Sequence, residues 1–505
     1  MHVSAVMNDG GVRSVGARVA DTSYNVDVED ALDATGHGLY NYLILLATCT
    51  FHLGTVVDML GFSLVVPAAS CDLHLGLKES GILTSISFAG FIFAQPWGYF
   101  ADTQGRRKAL LISATSGFFF AIVCSVSKDF FMMLAFKFIG CSFSMASLTL
   151  TITYLGECTP KHLRSRFLFI QNCYCLAADF VCYGLAYIIL PMDFNVPTFF
   201  IILRSWRLLI AAMALPLGIG ALMMIFLEES PKFLANAGET DKALEVLSRY
   251  YRGNKGSDDY PIKSIAGNNN CKDSSSFCDS VIRQSAPIFK PPLLWRTLQL
   301  FYLFAICCST NNVFFMWFPT MVNSFYNSNP DNPESFCHKI IAKITPSIDD
   351  TMGPCRNTTP MNTIYSGMLF TSFFTILNIV LIALSSWRKM LLIITIIISG
   401  ASAVMVNLID GAIPGMILFT MIQFTGICVG NVGSYFVDMY PTSCRGLATS
   451  LGMMVARFTC LAGVNLVGAV VVDHCSLTFY SWAIFILSGV FVAMLLPADR
   501  ASKQT

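Results

Sequence analysis

ECTPKHLR, residues 157–164, returns 281 positions later as DMYPTSCR, residues 438–445, with an acid, a proline and an arginine at the same offsets. Each copy directly follows a long apolar run, and a repeat at that distance in a chain of 505 residues points to two related halves. In membrane proteins of this size, two such halves usually enclose one solute path and rock against each other around it.

Composition points the same way: 54% of residues are hydrophobic, 12% are charged, and the mean hydropathy is +0.61. A soluble core of this length does not need so much apolar surface. Twelve apolar stretches, each about 20 residues long and so long enough to cross hydrocarbon as a helix, recur between residues 42 and 496. The second is expected near 81–101 and the eighth near 362–385. These stretches are apolar on every face and lack the period-two alternation of a barrel strand, so the expected fold is an all-α membrane protein. The expected divisions are an N-terminal tail (1–38), a first six-helix half (39–227), a linker (228–296), a second six-helix half (297–498) containing a long outer loop (321–361), and a C-terminal tail (499–505). The tail 1–38 has no apolar core behind a basic start, so no cleavable signal peptide is expected in it.

Basic residues orient the chain. With both termini cytoplasmic, the inner segments hold 23 Lys and Arg and the outer ones seven. The formal net charge of +1 and pI near 7.4 give no reason to expect a nucleic-acid partner. Within the linker, Thr240 is expected to cap a helix whose apolar stripe is Leu244, Leu247 and Tyr251, lying on the underside of the bundle. The stretch Gly267–Ser276 reads as disordered. The outer loop carries the chain's single N-x-Ser/Thr triplet, at Asn357, which the charge tally puts on the side where glycosylation happens. Cys337 and Cys355 are candidates for a disulfide in that oxidising space, with Cys71 and Cys475, in other outer loops, as competitors. Cys271 and Cys278 have no His at metal spacing, and no metal or cofactor is expected.

The strongest motif is GYFADTQGRR, residues 98–107, at the inner end of the second span. It resembles the G-x-x-x-D-x-x-G-R-R/K signature of the major facilitator superfamily. The physics fits the resemblance. Gly98 lets a neighbouring helix approach. Asp102 suits a helix N-terminus, while Arg106 and Arg107 suit helix C-termini or Glu157, closing an inner gate. Gly105, Arg164, Asp438 and Arg445 complete the expected gate set. Within the superfamily, Ser205-Trp206-Arg207, Glu229-Ser230-Pro231-Lys232-Phe233 and Trp317-Phe318-Pro319 resemble the synaptic vesicle glycoprotein 2 branch, and Val66-Pro67 followed by Cys71-Asp72-Leu73 looks like its insect members. Organic-ion and sugar transporters share the middle motif. The resemblance covers about residues 40–498. It implies a major facilitator fold of twelve helices in two pseudo-symmetric halves, with alternating access to a central cavity.

Departures from that pattern also matter. About 40 residues replace the branch's large lumenal domain. After the eighth span only the basic pair Arg388-Lys389 survives of the signature. In the fourth span Lys137 stands where the family has arginine, and Cys141, Phe143 and Met145 replace its glycines.

An ionised group at mid-bilayer costs roughly 2.5–3.5 kcal/mol, so polar groups inside the spans usually face a partner or a watery cavity. Asp58 and Asn431 lie in spans that line the cavity in the superfamily and are the first expected solute contacts, with Arg457 next. Asp179 is a weaker candidate, and Lys137 is a structural one. Trp317 and Tyr435 offer aromatic faces for a cation, and His52 is a titratable group in the first span. No phosphate-cradling G-x-x-x-x-G-K-Ser/Thr, H-E-x-x-H or G-x-S-x-G occurs, so no enzyme activity is expected. The expectation is a transporter of a small organic cation or zwitterion, facilitative or coupled to protons or membrane potential, in a plasma or synaptic-type vesicle membrane. The rival is a non-transporting vesicle glycoprotein acting as scaffold or regulator.

Overall fold

The computed structural model describes residues 26–266 apart from 193 and 198–200; residues 286, 288–291, 293–326 and 337; and residues 360–497 apart from 383–386, 410, 441 and 472. Twelve helical spans run through these residues. Spans one to six are Leu39–Leu60 continuing as Phe62–Ala69; Leu77–Ala89 continuing to Ala94–Gln104; Arg106–Ser125; Phe130–Ser144 with Ser147–Cys158; Lys161–Leu176 with Ala178–Ile189; and Ser205–Ile225. Spans seven to twelve are Leu293–Tyr326; Met361–Ile382; Arg388–Met405; Ala412–Ile422 with Cys428–Met439; Thr442–Val470; and Cys475–Met494. Among the described residues ten helices are long and apolar enough to cross a membrane. The two further spans are the second, broken by a 3-10 turn at Gly90–Phe93, and the eighth. Span seven begins at Leu293, so its first turn lies within the segment read as linker.

The helices pack closely where side chains are small. A Cβ on Gly54 of span one would lie 2.3 Å from the backbone nitrogen of Leu217 in span six. Span four, which lacks the family glycines, is met by one from the other side: a Cβ on Gly90 of span two would sit 2.7 Å from the carbonyl carbon of Cys141. The close crossing survives because the missing side chain can belong to either helix.

The two halves meet at one end. There Asn465 donates to Ser85 at 2.7 Å, the Trp317 ring lies 3.3 Å from where a Cβ on Gly81 would stand, and the Tyr183 ring occupies the space over Gly367. At the opposite end, which carries Arg106 and Arg388, Gly98, Gly156, Gly430 and Gly433 have no atom within 4 Å of where a Cβ would stand. The space between the halves is therefore closed at the Trp317 end and opens toward the Arg106 end.

Disulfide pairing differs from the first sequence candidate. Cys337 is bonded to Cys475, 138 residues away, and Cys71 is also disulfide-bonded. Cys355 lies outside the described residues, as do Asn357 and the stretch 267–276. The Cys337–Cys475 bond ties the outer loop to the start of span twelve, a contact set by helix packing rather than by loop proximity in sequence.

The polar N-terminal tail is not all tail. Val28–Ala34 is a helix, and Val26 bridges Ile265 of the linker. Tyr260 donates to the Ala31 carbonyl at 2.6 Å. The linker helix spans Thr240–Lys255 and buries Ala243, Val246, Leu247 and Tyr250. Thr240 is its first helical residue and not its cap, and no side chain caps that end. The buried stripe is accordingly rotated from the expected one, with Leu247 common to both.

Candidate functional site

The basic end is built from short chemistry-bearing segments. Gly105 has φ +108° and ψ 147°, a conformation essentially restricted to glycine, and it turns the chain from span two into span three. The Glu229 carboxylate fills the space a Cβ would need, 2.4 Å away, and accepts the Arg107 backbone N–H at 2.9 Å. The acid at the N-terminus of span three is thus Glu229, while Asp102, expected at a helix N-terminus, is 67% exposed and pairs with Arg106 at 2.9 Å. Arg106 also bonds Glu157 at 3.2 Å. The Arg107 guanidinium donates to the carbonyls of Met224 (3.3 Å) and Ile225 (2.7 Å), which end span six. Free carbonyls at a helix C-terminus attract such a cation.

The second half repeats these contacts with only the basic pair left. Arg388 pairs with Asp438 and donates to Ser434 at 3.1 Å, as Arg106 does with Glu157 in the first half. Lys389 donates to the carbonyls of Met494 (2.9 Å) and Leu496, which end span twelve, as Arg107 does for span six. The arginine of the first repeat, Arg164, is held at 2.8 Å by Glu29 of the N-terminal helix. Burial opposes ionisation of Glu29, but hydrogen bonds from Lys232 and Arg164 outweigh it and hold the carboxyl below its usual range. The side chain of Arg445 lies outside the described residues. Each ion pair named here stays within its own half, so none of them bridges the halves, and Gly98 has no helix against it. In this conformation, open at the Arg106 end, the charges expected to form the gate pair within their own half.

Between the halves lies a cavity of about 570 Å³. Its polar lining comprises His52, Thr149, Asn172 and Asp179 from the first half and Asn311, Asn312, Asn378, Asn431 and Arg457 from the second. His52 Nδ1 is 3.1 Å from the Thr151 hydroxyl. Arg457 reaches across from span eleven, with a guanidinium nitrogen 4.0 Å from the Met59 sulfur and its Cζ 5.0 Å and 5.6 Å from the ring centres of Phe91 and Phe88. Those soft and aromatic contacts leave its charge without a carboxylate among the described residues. Asp179 Oδ1 is buried and has no hydrogen-bond partner among them either. A smaller recess of about 120 Å³ continues from Asp179 toward Phe370 and Thr375.

Residues 49–333 match the Major Facilitator Superfamily, more than half of the chain. The chain belongs to that superfamily. The inward-open xylose transporter XylE of E. coli superimposes with a TM-score of 0.64, at 14% identity over 92% of this chain and 98% of that one, which is a likeness of fold. Among sequences, a putative transporter svop-1 of Caenorhabditis elegans is 26% identical over 47% of this chain and 44% of its own length. A synaptic vesicle 2-related protein of Xenopus laevis is 27% identical over 44% of this chain and 38% of its own, and organic cation/carnitine transporter 7 of Arabidopsis thaliana is 23% identical over 47% and 45%. The alignments span less than half the length of these relatives.

On this major facilitator frame the expected site residues separate. Arg457, Asn431, Asp179 and His52 line the cavity. Asp58 is not among the lining residues: it is 6% exposed and paired at 2.7 Å with Lys137, which is 3% exposed, also donates to the Asp58 carbonyl, and lies 4.6 Å from the Phe62 ring centre. Trp317 is buried in the closed end, and Tyr435 lies under the Arg388 guanidinium at 4.5 Å. The sequence reading passed over Asn172, Asn311, Asn312 and Asn378. Their signal was present, since four amides sit within long apolar runs, where an amide with no partner is costly.

Proposed function

We propose that this chain carries a small organic zwitterion across a membrane by alternating access, with the cavity between its halves as the solute path. The observation that carries the reading is that Asp179 and Arg457 face one cavity from opposite halves, and neither is neutralised by an ion pair among the described residues. A solute bearing an amine and an acid would satisfy both, and in a low-dielectric site the gain exceeds that in water. With Asp58 engaged by Lys137, the negative charge available to a cationic group is that of Asp179. The likeness to an organic cation/carnitine transporter supports the class. Both termini are placed in the cytoplasm on the distribution of basic residues, and the synaptic vesicle relatives favour a vesicle or plasma membrane host.

Transport is tested by uptake into proteoliposomes of radiolabelled carnitine and glycine betaine beside choline, with and without a pH gradient. Saturable uptake of a zwitterion is expected, and Arg457→Ala should cut it roughly 10-fold or more, the worth of a charge-assisted hydrogen bond, while sparing choline. Absence of saturable uptake for every zwitterion by correctly inserted protein would sink the reading.

A further inference from the structure

The recess beside Asp179 has a chemical sign that its residue names do not show. Asn312 Nδ2 donates at 2.7 Å to the Cys308 carbonyl, four residues back on its own helix. Asn378 Nδ2 does the same to the Phe374 carbonyl at 2.8 Å. A carbonyl oxygen only accepts, so the amide atom facing it must be the nitrogen, and the amide orientation is fixed by chemistry. Each Oδ1 is left as the free end. One hydroxyl on the far wall is committed likewise: Thr371 donates to the Met368 carbonyl at 3.2 Å. Asn311 presses its Oδ1 against Gly426, where a Cβ would come within 2.3 Å of it. Beside these stands the unpartnered Oδ1 of Asp179.

A recess walled by acceptors and one carboxylate rejects anions and takes a cation. Which cation follows from the rest of the wall. Leu60, Phe315, Phe370 and Phe374 form much of it. A bare metal ion needs oxygen ligands on most sides, whereas an alkylated ammonium is content with a carboxylate on one side and aromatic faces on the others. We propose that the recess bounded by Asp179, Asn312, Asn378 and the three phenylalanines is an ammonium-binding subsite, which seats the cationic head of the solute while Arg457 faces its acidic end. The subsite rests on the solute reading above, and it assigns the head-group chemistry and the residues that select it.

The test is thermal unfolding of the purified full chain, titrated with tetramethylammonium, choline, sodium and acetate at constant ionic strength set with potassium chloride. Tetramethylammonium and choline are expected to raise the melting temperature saturably, sodium to leave it unchanged, and any acetate response, which belongs to Arg457, to persist in Asp179→Asn. Asp179→Asn should weaken the tetramethylammonium affinity roughly 10- to 100-fold, and Asn378→Ala, which keeps the charge and suits a membrane helix, about 3- to 10-fold. Affinity unchanged in both variants overturns the subsite, as does a sodium response that Asp179→Asn abolishes with no ammonium response. The two proposals fail separately. Ammonium binding lost in both variants without flux of any solute keeps the subsite and removes the transport reading, whereas zwitterion flux with normal affinity in Asp179→Asn does the reverse.

Discussion

Replacing Asp58 by asparagine separates a solute contact from a structural ion pair. In the structure the carboxylate meets Lys137 at 2.7 Å, with both side chains nearly inaccessible. Removing one partner of such a buried pair typically costs about 3–5 kcal/mol, because the other charge is left without compensation. Lys137 would retain the Asp58 carbonyl at 2.7 Å and the Phe62 ring at 4.6 Å, so the lower end, about 3 kcal/mol, is expected. That is more than a hundredfold in the unfolding equilibrium. Asp58→Asn with Lys137→Met removes both charges and should recover to within about 1 kcal/mol of the parent, since a buried pair and an apolar replacement are often nearly equal. The assay is denaturant or thermal unfolding in detergent of the parent, both single variants and the double variant, read as a coupling energy, beside the amount of each in the membrane. Asp58→Asn with parental stability but no solute binding would refute the argument and return Asp58 to the solute site.

Gly105→Ala forces a side chain into a glycine-only conformation and into the Glu229 carboxylate, so a loss of roughly 2–4 kcal/mol is expected in the same unfolding assay; a loss under about 1 kcal/mol would show that the turn relaxes freely. Glu29 has a carboxyl held below its unfolded value, so its contribution is present above the ordinary glutamate range and is lost as pH falls through the lowered value. Protection of the Val28–Ala34 amides, measured against the intrinsic exchange rate at each pH, should therefore fall on acidification in the parent and less so in Glu29→Gln, and equal acid sensitivity in both would argue against it. Lys389→Met should loosen the end of span twelve at a cost of about 1 kcal/mol, matching Arg107→Met at span six; exchange rates around Met494 would show it, and unchanged rates would remove the parallel between the halves. Non-reduced peptide mapping should recover Cys337 linked to Cys475, and a Cys337–Cys355 peptide in its place would contradict the fold of the outer face.

The sequence by itself determined the features that are sums over neighbours. Apolar runs long enough to satisfy their own backbone hydrogen bonds in hydrocarbon announced the spans, and GYFADTQGRR with the repeated acid–proline–arginine pattern led to the superfamily. It also marked Arg107 as suited to a helix C-terminus, and packing decided that the helix is span six. Only the tertiary structure decided who pairs with whom. Asp58 meets Lys137 from 79 positions away, Cys337 meets Cys475 from 138, and Glu229 rather than Asp102 takes the N-terminus of span three. The cavity was the least legible part, since Asp179, Asn312, Asn378 and Arg457 come from four spans and acquire a common purpose only when the helices cross. An intramembrane polar residue states in sequence that it needs a partner; the angle and depth at which its helix packs decide whether that partner is another side chain, its own backbone, or a solute.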